Sequence, residues 1–305
     1  PAAPAGSASP SPRAVGRYAL EVRLGRGATG EVWKVRSLAT GAYYAMKQMD
    51  FSGVGPKERD QAMQEARLLR KISHPHVVPF VDLVAEESKL CIFMQYFEGG
   101  DLQRVIQDAR DGHRRLPEVG IWRWFLQVAS ALNYLHKAGV LHRDVKPANV
   151  FLACDQRRAV LGDLGIAKVL GGAVVEAQTR IGTPAYLAPE VWLGLRYGAA
   201  ADVYSLGCTV FELAELRMPF HAESRGMLAA LVCNRDCAPI GSASGYSAAL
   251  RGLVRTMLDK NPRQRPGASD ILSYANELAN NSRRSQPAAP PAPQPAARSA
   301  SQPQQ

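Results

Sequence analysis

Residues 141–152, "LHRDVKPANVFL", place His142, Arg143, Asp144, Lys146 and Asn149 within eight positions and then close on an apolar run. A folded core has no need of such a cluster, because buried charges cost free energy unless paired or hydrogen-bonded. A solvated charged face would not alternate with Val145, Pro147 and Val150. Chemistry is the natural reading. Asp144 suits the acceptance or orientation of a hydroxyl proton, Lys146 the neutralisation of a phosphate in transfer, and Asn149 the binding of a metal. Fourteen residues after Asn149, "LGDLG" (161–165) offers Asp163 as a second hard oxygen ligand. Two such ligands from nearby loops suit Mg²⁺, which keeps waters and takes further oxygens from nucleotide phosphates.

Upstream, "LGRGATGEV" (24–32) sets glycines at 25, 27 and 30. Glycines let a strand–turn–strand pass closely over phosphates without side chains intervening, and the same pattern also fits a plain hairpin turn. A dinucleotide-binding loop shares the glycine spacing, but there a helix follows, with an acid about 20 residues on. Here a second strand, "EVWKVRSL", follows instead of a helix. "YYAMK" ends in Lys47, read either as a snorkelling edge lysine or as a cation reaching phosphate oxygens. The second reading needs an anion to hold the ammonium, and Glu65 in "QEARLL" is the candidate; its alternative is a solvated helix charge.

Around these motifs the texture of the chain changes once. Residues 18–49 alternate as strands, with Thr40-Gly41 as a hairpin signal. A helix follows from about Pro56 through "ERDQAMQEARLLRKI", then strands over "VVPFVDLVAE" and "KLCIFMQYF". Helices dominate afterwards: 117–138, about 202–216, 224–234, 246–258 and 268–279. A β-rich segment followed by an α-rich one predicts two lobes with a ligand cleft between them. Residues 1–16 are Pro, Ala and Ser, and 281–305 are rich in Pro, Ala, Gln and Ser; both are expected to be disordered.

Composition excludes several classes. The 305 residues are 46% hydrophobic and 21% charged, as in a globular protein. No apolar run reaches the roughly 18 residues that a membrane span needs. The N-terminus has neither the charged start nor the apolar core of a signal peptide. No starting Met is present, which leaves room for a longer protein. Cys91, Cys154, Cys208, Cys233 and Cys237 form no CxxC pair, so reduced thiols in an intracellular protein are expected. The formal charge of +10 reads as a solvated surface plus tails, with no nucleic-acid and no membrane partner.

The ordered series Gly25/Gly27/Gly30, Lys47, Glu65, His142-Arg143-Asp144, Asn149, Asp163, Ala188-Pro189-Glu190, Asp202 and Arg265 resembles a eukaryotic protein kinase over about residues 18–279. Lys146 and Thr183, in "GTPAYLAPE", resemble the serine/threonine type. "YFEGGDL", "NVFL", "LGDLGIAKVL", "TRIGTPAYLAPE", "DVYSLGC" and "NPRQRP" together resemble the NIMA-related (Nek) kinases. The resemblance implies an α+β, bilobal kinase fold over 17–280. Its small β-rich N-lobe, about 17–95, carries one main helix, and its larger C-lobe, about 99–280, is mostly helical.

The resemblance also implies roles. ATP and Mg²⁺ (or Mn²⁺) are the expected cofactors, and Ser/Thr hydroxyls of proteins the acceptors. Lys47, paired with Glu65 in the active state, holds the α- and β-phosphates; Asp163 and Asn149 hold the metal; Asp144 orients the hydroxyl; Lys146 meets the γ-phosphate. Leu24, Val32 and Ala45 cover the adenine from above and Phe151 from below. Met94 stands at the back, and backbone groups of Gln95, Tyr96 and Phe97 bond the base. His142 joins an apolar packing column with Leu69, Phe80 and Leu164. The chain departs from the family pattern in Asp-Leu-Gly where Asp-Phe-Gly is usual, and in Ala28-Thr29 where the glycine loop often carries an aromatic tip.

Arg143 implies a switch, met by a phosphate on Thr179, while Thr183 supports the substrate platform and Lys146. Asp202 is expected to hold the catalytic loop through backbone N–H groups, and Glu190 and Arg265 to form a buried pair. His74, His76, Trp122 and Trp124 read as structural. The family implies self-association for autophosphorylation and a cytoplasmic place, with cytoskeletal, centrosomal or ciliary association. The rival from another class is a pseudokinase kept for binding partners. It is disfavoured because Lys47, Asp144, Asn149 and Asp163 are all present.

Overall fold

The computed structural model describes residues 13–27, 30–52, 55–86, 88–164 and 184–284. The first half is a six-stranded antiparallel sheet in the order β1-β2-β3-β4-β6-β5. Its strands are β1 (Ala14–Val15), β2 (Tyr18–Gly27), β3 (Gly30–Ser37), β4 (Tyr43–Asp50), β5 (Phe80–Glu86) and β6 (Lys89–Gln95), with helix α1 (Pro56–Leu69) between β4 and β5. Strand β6, "KLCIFMQ", is buried on both faces, which is why it reads as an unbroken apolar run. Leu90 and Ile92 face one cluster, with Met49, Phe51 and Ala66 of α1. Cys91 and Phe93 face the other, with Tyr18, Val35 and Met46. The period-2 alternation of a strand thus builds two cores on one sheet.

The second half is helical: α2 (Leu102–Asp111), α3 (Glu118–Lys137), α4 (Pro189–Trp192), α5 (Ala199–Glu215), α6 (Arg225–Asn234), α7 (Ala248–Met257) and α8 (Ala268–Arg284). A small hairpin, β7 (Val150–Leu152) with β8 (Ala159–Leu161), lies among them. Helix α5 is buried without a break from Ala201 to Ala214, as expected of a helix that is apolar nearly all round and forms the centre of its lobe. Side-chain caps fix the starts of three helices. Asp101 accepts from Arg104 N, Ser224 from Met227 N and Ser247 from Leu250 N.

Three boundaries and one helix differ from the sequence reading. Ordered pairing begins at Ala14, within the stretch expected to be disordered, because Ala14 and Val15 add to β2. Helix α1 ends at Leu69, and the last helix runs on to Arg284. Helix α2 was not expected, yet Leu102, Val105, Ile106 and Ala109 carry its buried stripe at helical spacing. Its other residues are mostly charged or amide, which masks that stripe.

Candidate active site

The loop between α3 and β7 is held from below by one carboxylate. Asp202, fully buried on α5, accepts from the backbone N–H of His142 at 2.9 Å and of Arg143 at 2.8 Å. It also bonds His136 Nε2 at 2.9 Å and the Tyr197 hydroxyl at 2.8 Å. Burial alone would push its carboxyl up, but the hydrogen bond from His136 and those from the two N–H groups outweigh burial and hold it below the usual range. These bonds support a loop in which Arg143 has φ of 66° and Asp163, just beyond β8, has φ of 55°. Both lie in the left-handed region, where a side chain costs backbone energy that the surroundings must supply.

His142 is buried and accepts at Nδ1 from Asp144 N (3.3 Å) while Nε2 donates to Gly162 O (2.9 Å). These partners define a neutral imidazole, and burial lowers its proton affinity. Its role is to tie the catalytic loop to the strand end that carries Asp163. Leu69, Phe80 and Leu164 pack against one cluster, and Leu164 also touches the core of the larger lobe.

The β7–β8 hairpin explains the spacing between the two expected metal ligands. Val150 pairs with Leu161, so Asn149 and Gly162 meet one step beyond the ladder, where Gly162 N donates to Asn149 O at 2.9 Å. A Cβ on Gly162 would lie 2.6 Å from Val78 Cγ2 and 2.7 Å from a Phe151 ring carbon, so only glycine fits beside Asp163. Asn149 Nδ2 donates to the Asp144 carbonyl at 2.8 Å and to its carboxylate at 3.1 Å, which leaves Oδ1 as the end of the amide that can face a cation. Lys146 Nζ lies 3.0 Å from Asp144 Oδ2. Lys47, only 6% exposed on β4, forms an ion pair and hydrogen bond with Asp163. The structure therefore gathers Lys47, Asp144, Lys146, Asn149 and Asp163 at one place. Glu65 lies on α1 beside buried Ala66, and its side chain is outside the described residues. Thr179 and Thr183 are outside them too.

Of the residues expected around a nucleotide, Met94 lines the cleft that holds Lys47 and Asp163. Ala45 and Lys47 share a face of β4; Ala45 pairs with Met94 and Val32 with Lys47. Leu24 is 46% exposed, and Val32, Ala45 and Phe151 are half-buried. That cleft is lined by Lys47, Leu69, Phe80, Met94, Asp163 and Leu164 among others; Leu24, Val32, Ala45 and Phe151 stand outside its lining. In the connecting strand, Gln95 N already donates to Pro79 O at 3.1 Å, so that donor serves the sheet. Phe97 is buried, and the Tyr96 ring takes Lys34 Nζ at 4.9 Å on its outer side. Gly99 N donates to Leu152 O and Leu152 N to Gly100 O, fastening the connection to β7.

Not all the loop glycines answer to a ligand. Gly30, with φ of 125°, would place a Cβ 2.0 Å from Gln48 O, so β4 itself demands glycine there. Gly25 has no atom within 4 Å of a notional Cβ, and packing does not explain it. Gly27 pairs with Gly30 across the β2–β3 turn, whose tip, Ala28-Thr29, is outside the described residues.

The donor set fits a metal held jointly with phosphate. Among the described residues no group of three or more His, Cys, Asp or Glu can hold an ion alone. Asp163 and Asn149 supply two hard oxygens, and Mg²⁺ takes few protein ligands when phosphate and water complete its octahedron.

Farther out, Glu190 and Arg265 form the expected buried pair, bidentate at 2.7 and 2.8 Å. His74 stacks on Tyr134 and meets Ser130 Oγ at 3.2 Å, while His76 Nδ1 lies 2.9 Å from Ala159 O. Trp122 and Trp124 donate to Glu118 and Gln156. All four act structurally, as expected. The sequence reading passed over His136 and Tyr197 on Asp202. It also missed a buried chain in which Glu212 accepts from Tyr186 Oη at 2.6 Å and from Arg110 at 2.9 Å. An acid in the middle of the apolar run "TVFELAE" was the available signal.

A two-lobed body with a Lys–Asp pair in its cleft, a carboxylate beside Lys and Asn, and a glycine hairpin is the arrangement expected of a nucleotide-dependent phosphotransferase. Residues 18–275 match the protein kinase domain model. The chain belongs to the protein kinase family. It is 34% identical over 256 residues to human serine/threonine-protein kinase Nek5, covering 84% of this chain and 36% of that protein. It is 38% identical over 250 residues to mouse serine/threonine-protein kinase Nek4 (82% and 31%). To a probable serine/threonine-protein kinase nek2 of Dictyostelium discoideum it is 34% identical over 264 residues (85% and 62%). The chain thus spans less than two-thirds of the length of these relatives.

Proposed function

We propose that this chain is an ATP- and Mg²⁺-dependent serine/threonine protein kinase of Nek type. The observation that carries the reading is the meeting of Lys47, Asp163, Asn149 and Asp144 at one place, although they come from three separate parts of the chain. Phosphoryl transfer asks little covalent chemistry of a protein; it asks for in-line positioning and neutralised charge. Bound ATP supplies the phosphoryl group, and its oxygens complete the coordination of an Mg²⁺ ion held by Asp163 and Asn149. Lys47, desolvated on β4, presents its ammonium to the α- and β-phosphates, with Glu65 as its second anion. Asp144, steadied by Asn149 and Lys146, orients the acceptor hydroxyl. Lys146, 3.0 Å from Asp144, brings positive charge to the group in transfer.

Leu24, Val32, Ala45, Met94 and Phe151 form the adenine walls, with backbone groups of Gln95 to Phe97 as its hydrogen-bonding edge and Gly25 and Gly27 above the phosphates. Arg143 receives a phosphate on Thr179 when the loop is activated, and Thr183 supports the acceptor platform. Transfer onto a second copy provides that phosphate, so the kinase self-associates at least transiently. The substrates are proteins, and likeness to the Nek kinases is the ground for placing the chain in the cytoplasm with cytoskeletal, centrosomal or ciliary association. Among the described residues no helix is long and apolar enough to cross a membrane.

The test is transfer of radiolabel from ATP to a Ser/Thr peptide library. Wild type labels the library, and Asp144→Ala falls by about 10³-fold or more, as expected for loss of several kcal/mol of barrier. Equal labelling by both proteins, or by neither, would overturn the reading. Thr179→Ala belongs in the same assay and should act well below wild type; unchanged activity would remove Thr179 from the switch.

A further inference from the structure

The connection from the sheet to the second lobe is anchored at both ends and open in the middle. Gln95 N donates to Pro79 O before it, and Gly99 N donates to Leu152 O after it. Between these anchors Tyr96, Phe97 and Glu98 make no backbone–backbone hydrogen bond among the described residues. Their N–H and C=O groups are thus available to a ligand, and side chains must fix where that edge lies. Glu98 is tied to the second lobe, its carboxylate accepting from Cys154 Sγ at 3.4 Å. Tyr96 is tied to the sheet by a cation. Lys34 Nζ stands 4.9 Å from the centre of its ring and 4.0 Å from that of Tyr43.

Strand alternation puts these three side chains together. On β3, Trp33 and Val35 turn to the core that holds Tyr18 and Phe93, so Val32 and Lys34 face the other way. On β4, Tyr44 and Met46 join that same core, so Tyr43, Ala45 and Lys47 share the face of Lys34. Val32 pairs with Lys47 and Lys34 with Ala45, which sets the Tyr43 ring diagonally beside the Lys34 stem. Lys34 therefore lies on the nucleotide side of the sheet, one step along from Val32, and half-buried. Ammonium over a ring face is attracted by the ring quadrupole, and more strongly where water is partly excluded.

We propose that Lys34 is a positioning residue for the nucleotide base: gripped by the rings of Tyr43 and Tyr96, it holds the open backbone edge of residues 96–98 against the sheet, where adenine bonds. The proposal rests on the kinase reading and assigns that reading a residue which touches neither phosphate nor metal. The grip needs a cation and a π face. Arginine can therefore stand in for Lys34, while methionine keeps the length and loses the attraction. Leucine in place of Tyr96 removes the face. A cation that instead acted through space on the phosphates would be felt by any polyphosphate, with or without a base.

The experiment measures kcat and KM for ATP on a short acceptor peptide for the full chain as wild type, Lys34→Met, Lys34→Arg, Tyr96→Leu and Lys34→Met/Tyr96→Leu. Inhibition constants for adenosine and for inorganic triphosphate are taken alongside. Lys34→Met should raise KM for ATP about fivefold, the size expected of a half-buried cation–π contact, and leave kcat within about twofold. Lys34→Arg should restore the wild-type KM. The double variant should be no worse than Tyr96→Leu, because both changes break one contact. Adenosine should weaken as ATP does, and triphosphate should bind unchanged. An unmoved KM in Lys34→Met, even with a lowered melting temperature, would overturn the proposal. So would an arginine variant as weak as the methionine one, additive effects in the double variant, or triphosphate weakened along with adenosine. Wild type that transfers no phosphate would overturn the kinase reading and this proposal together, whereas an active wild type indifferent to Lys34→Met overturns the proposal alone.

Discussion

Asp202 and His142 show how much of the site is decided by groups that never meet substrate. Asp202 is depressed below the usual carboxylate range, so it stabilises the fold at pH above its unfolded value and loses that contribution as pH falls through the lower folded one. His142 acts in the same sense but at higher pH: burial keeps it neutral, so below its ordinary value of about 6.5 the unfolded chain takes up a proton that the folded one refuses. His74, also lowered by burial, adds in the same sense. Unfolding free energy by urea should therefore drop as pH goes from 7 to 5, and His142→Tyr should show a shallower slope over that range; an unchanged slope would exclude His142 as a source. A second residue-scale expectation concerns Gln156, exposed with φ of 55° in the β7–β8 turn. Gln156→Gly should raise stability by about 0.5–1 kcal/mol, seen as a higher melting temperature, because glycine adopts that conformation without strain. At this scale the sequence was readable wherever a residue type has one chemistry to offer, as with Lys47, Asp144 and Asp163. It was silent on Tyr197 and His136, whose partner is remote in sequence and whose types suit any surface.

Among the elements, the β7–β8 hairpin and the α4 anchor do the positioning. The hairpin turns a fourteen-residue separation between Asn149 and Asp163 into adjacency, and neither strand was legible in advance because each has only three residues. The interval between the motifs could be seen; the ladder that produces it could not. The α4 anchor rests on Glu190 and Arg265. Arg265→Ala should cost about 3–5 kcal/mol in urea unfolding, since it orphans a buried carboxylate, whereas replacing both members with apolar residues of similar size should cost much less. A single and a double variant of equal stability would show that the pair is not the anchor. Helix α2 was missed for the opposite reason to the hairpin. It is long enough, but its buried stripe of four residues is diluted by Arg, Gln and Asp on the other side.

Across the whole molecule, the alternation from strand texture to helix texture marks the two lobes correctly, because the period of burial changes where the chain leaves the sheet. What texture does not specify is how the lobes meet. Val78 N bonds Leu161 O, Leu161 N bonds His76 O, and Gly99 and Gly100 bond Leu152; all are backbone contacts that any side chain could serve. The glycine hairpin was the least reliable motif, since Gly30 answers to β4 while Gly25 has no packing reason. The account stands on convergence: a cation from the sheet and oxygen donors from the second lobe must share one triphosphate and its metal. Calorimetric titration of a non-hydrolysable ATP analogue, with and without Mg²⁺, tests that most directly. Wild type should bind more tightly with Mg²⁺ present, and Asp163→Ala should keep nucleotide binding but lose the dependence on Mg²⁺. Undiminished Mg²⁺ dependence in Asp163→Ala, or no nucleotide binding by wild type, would contradict it.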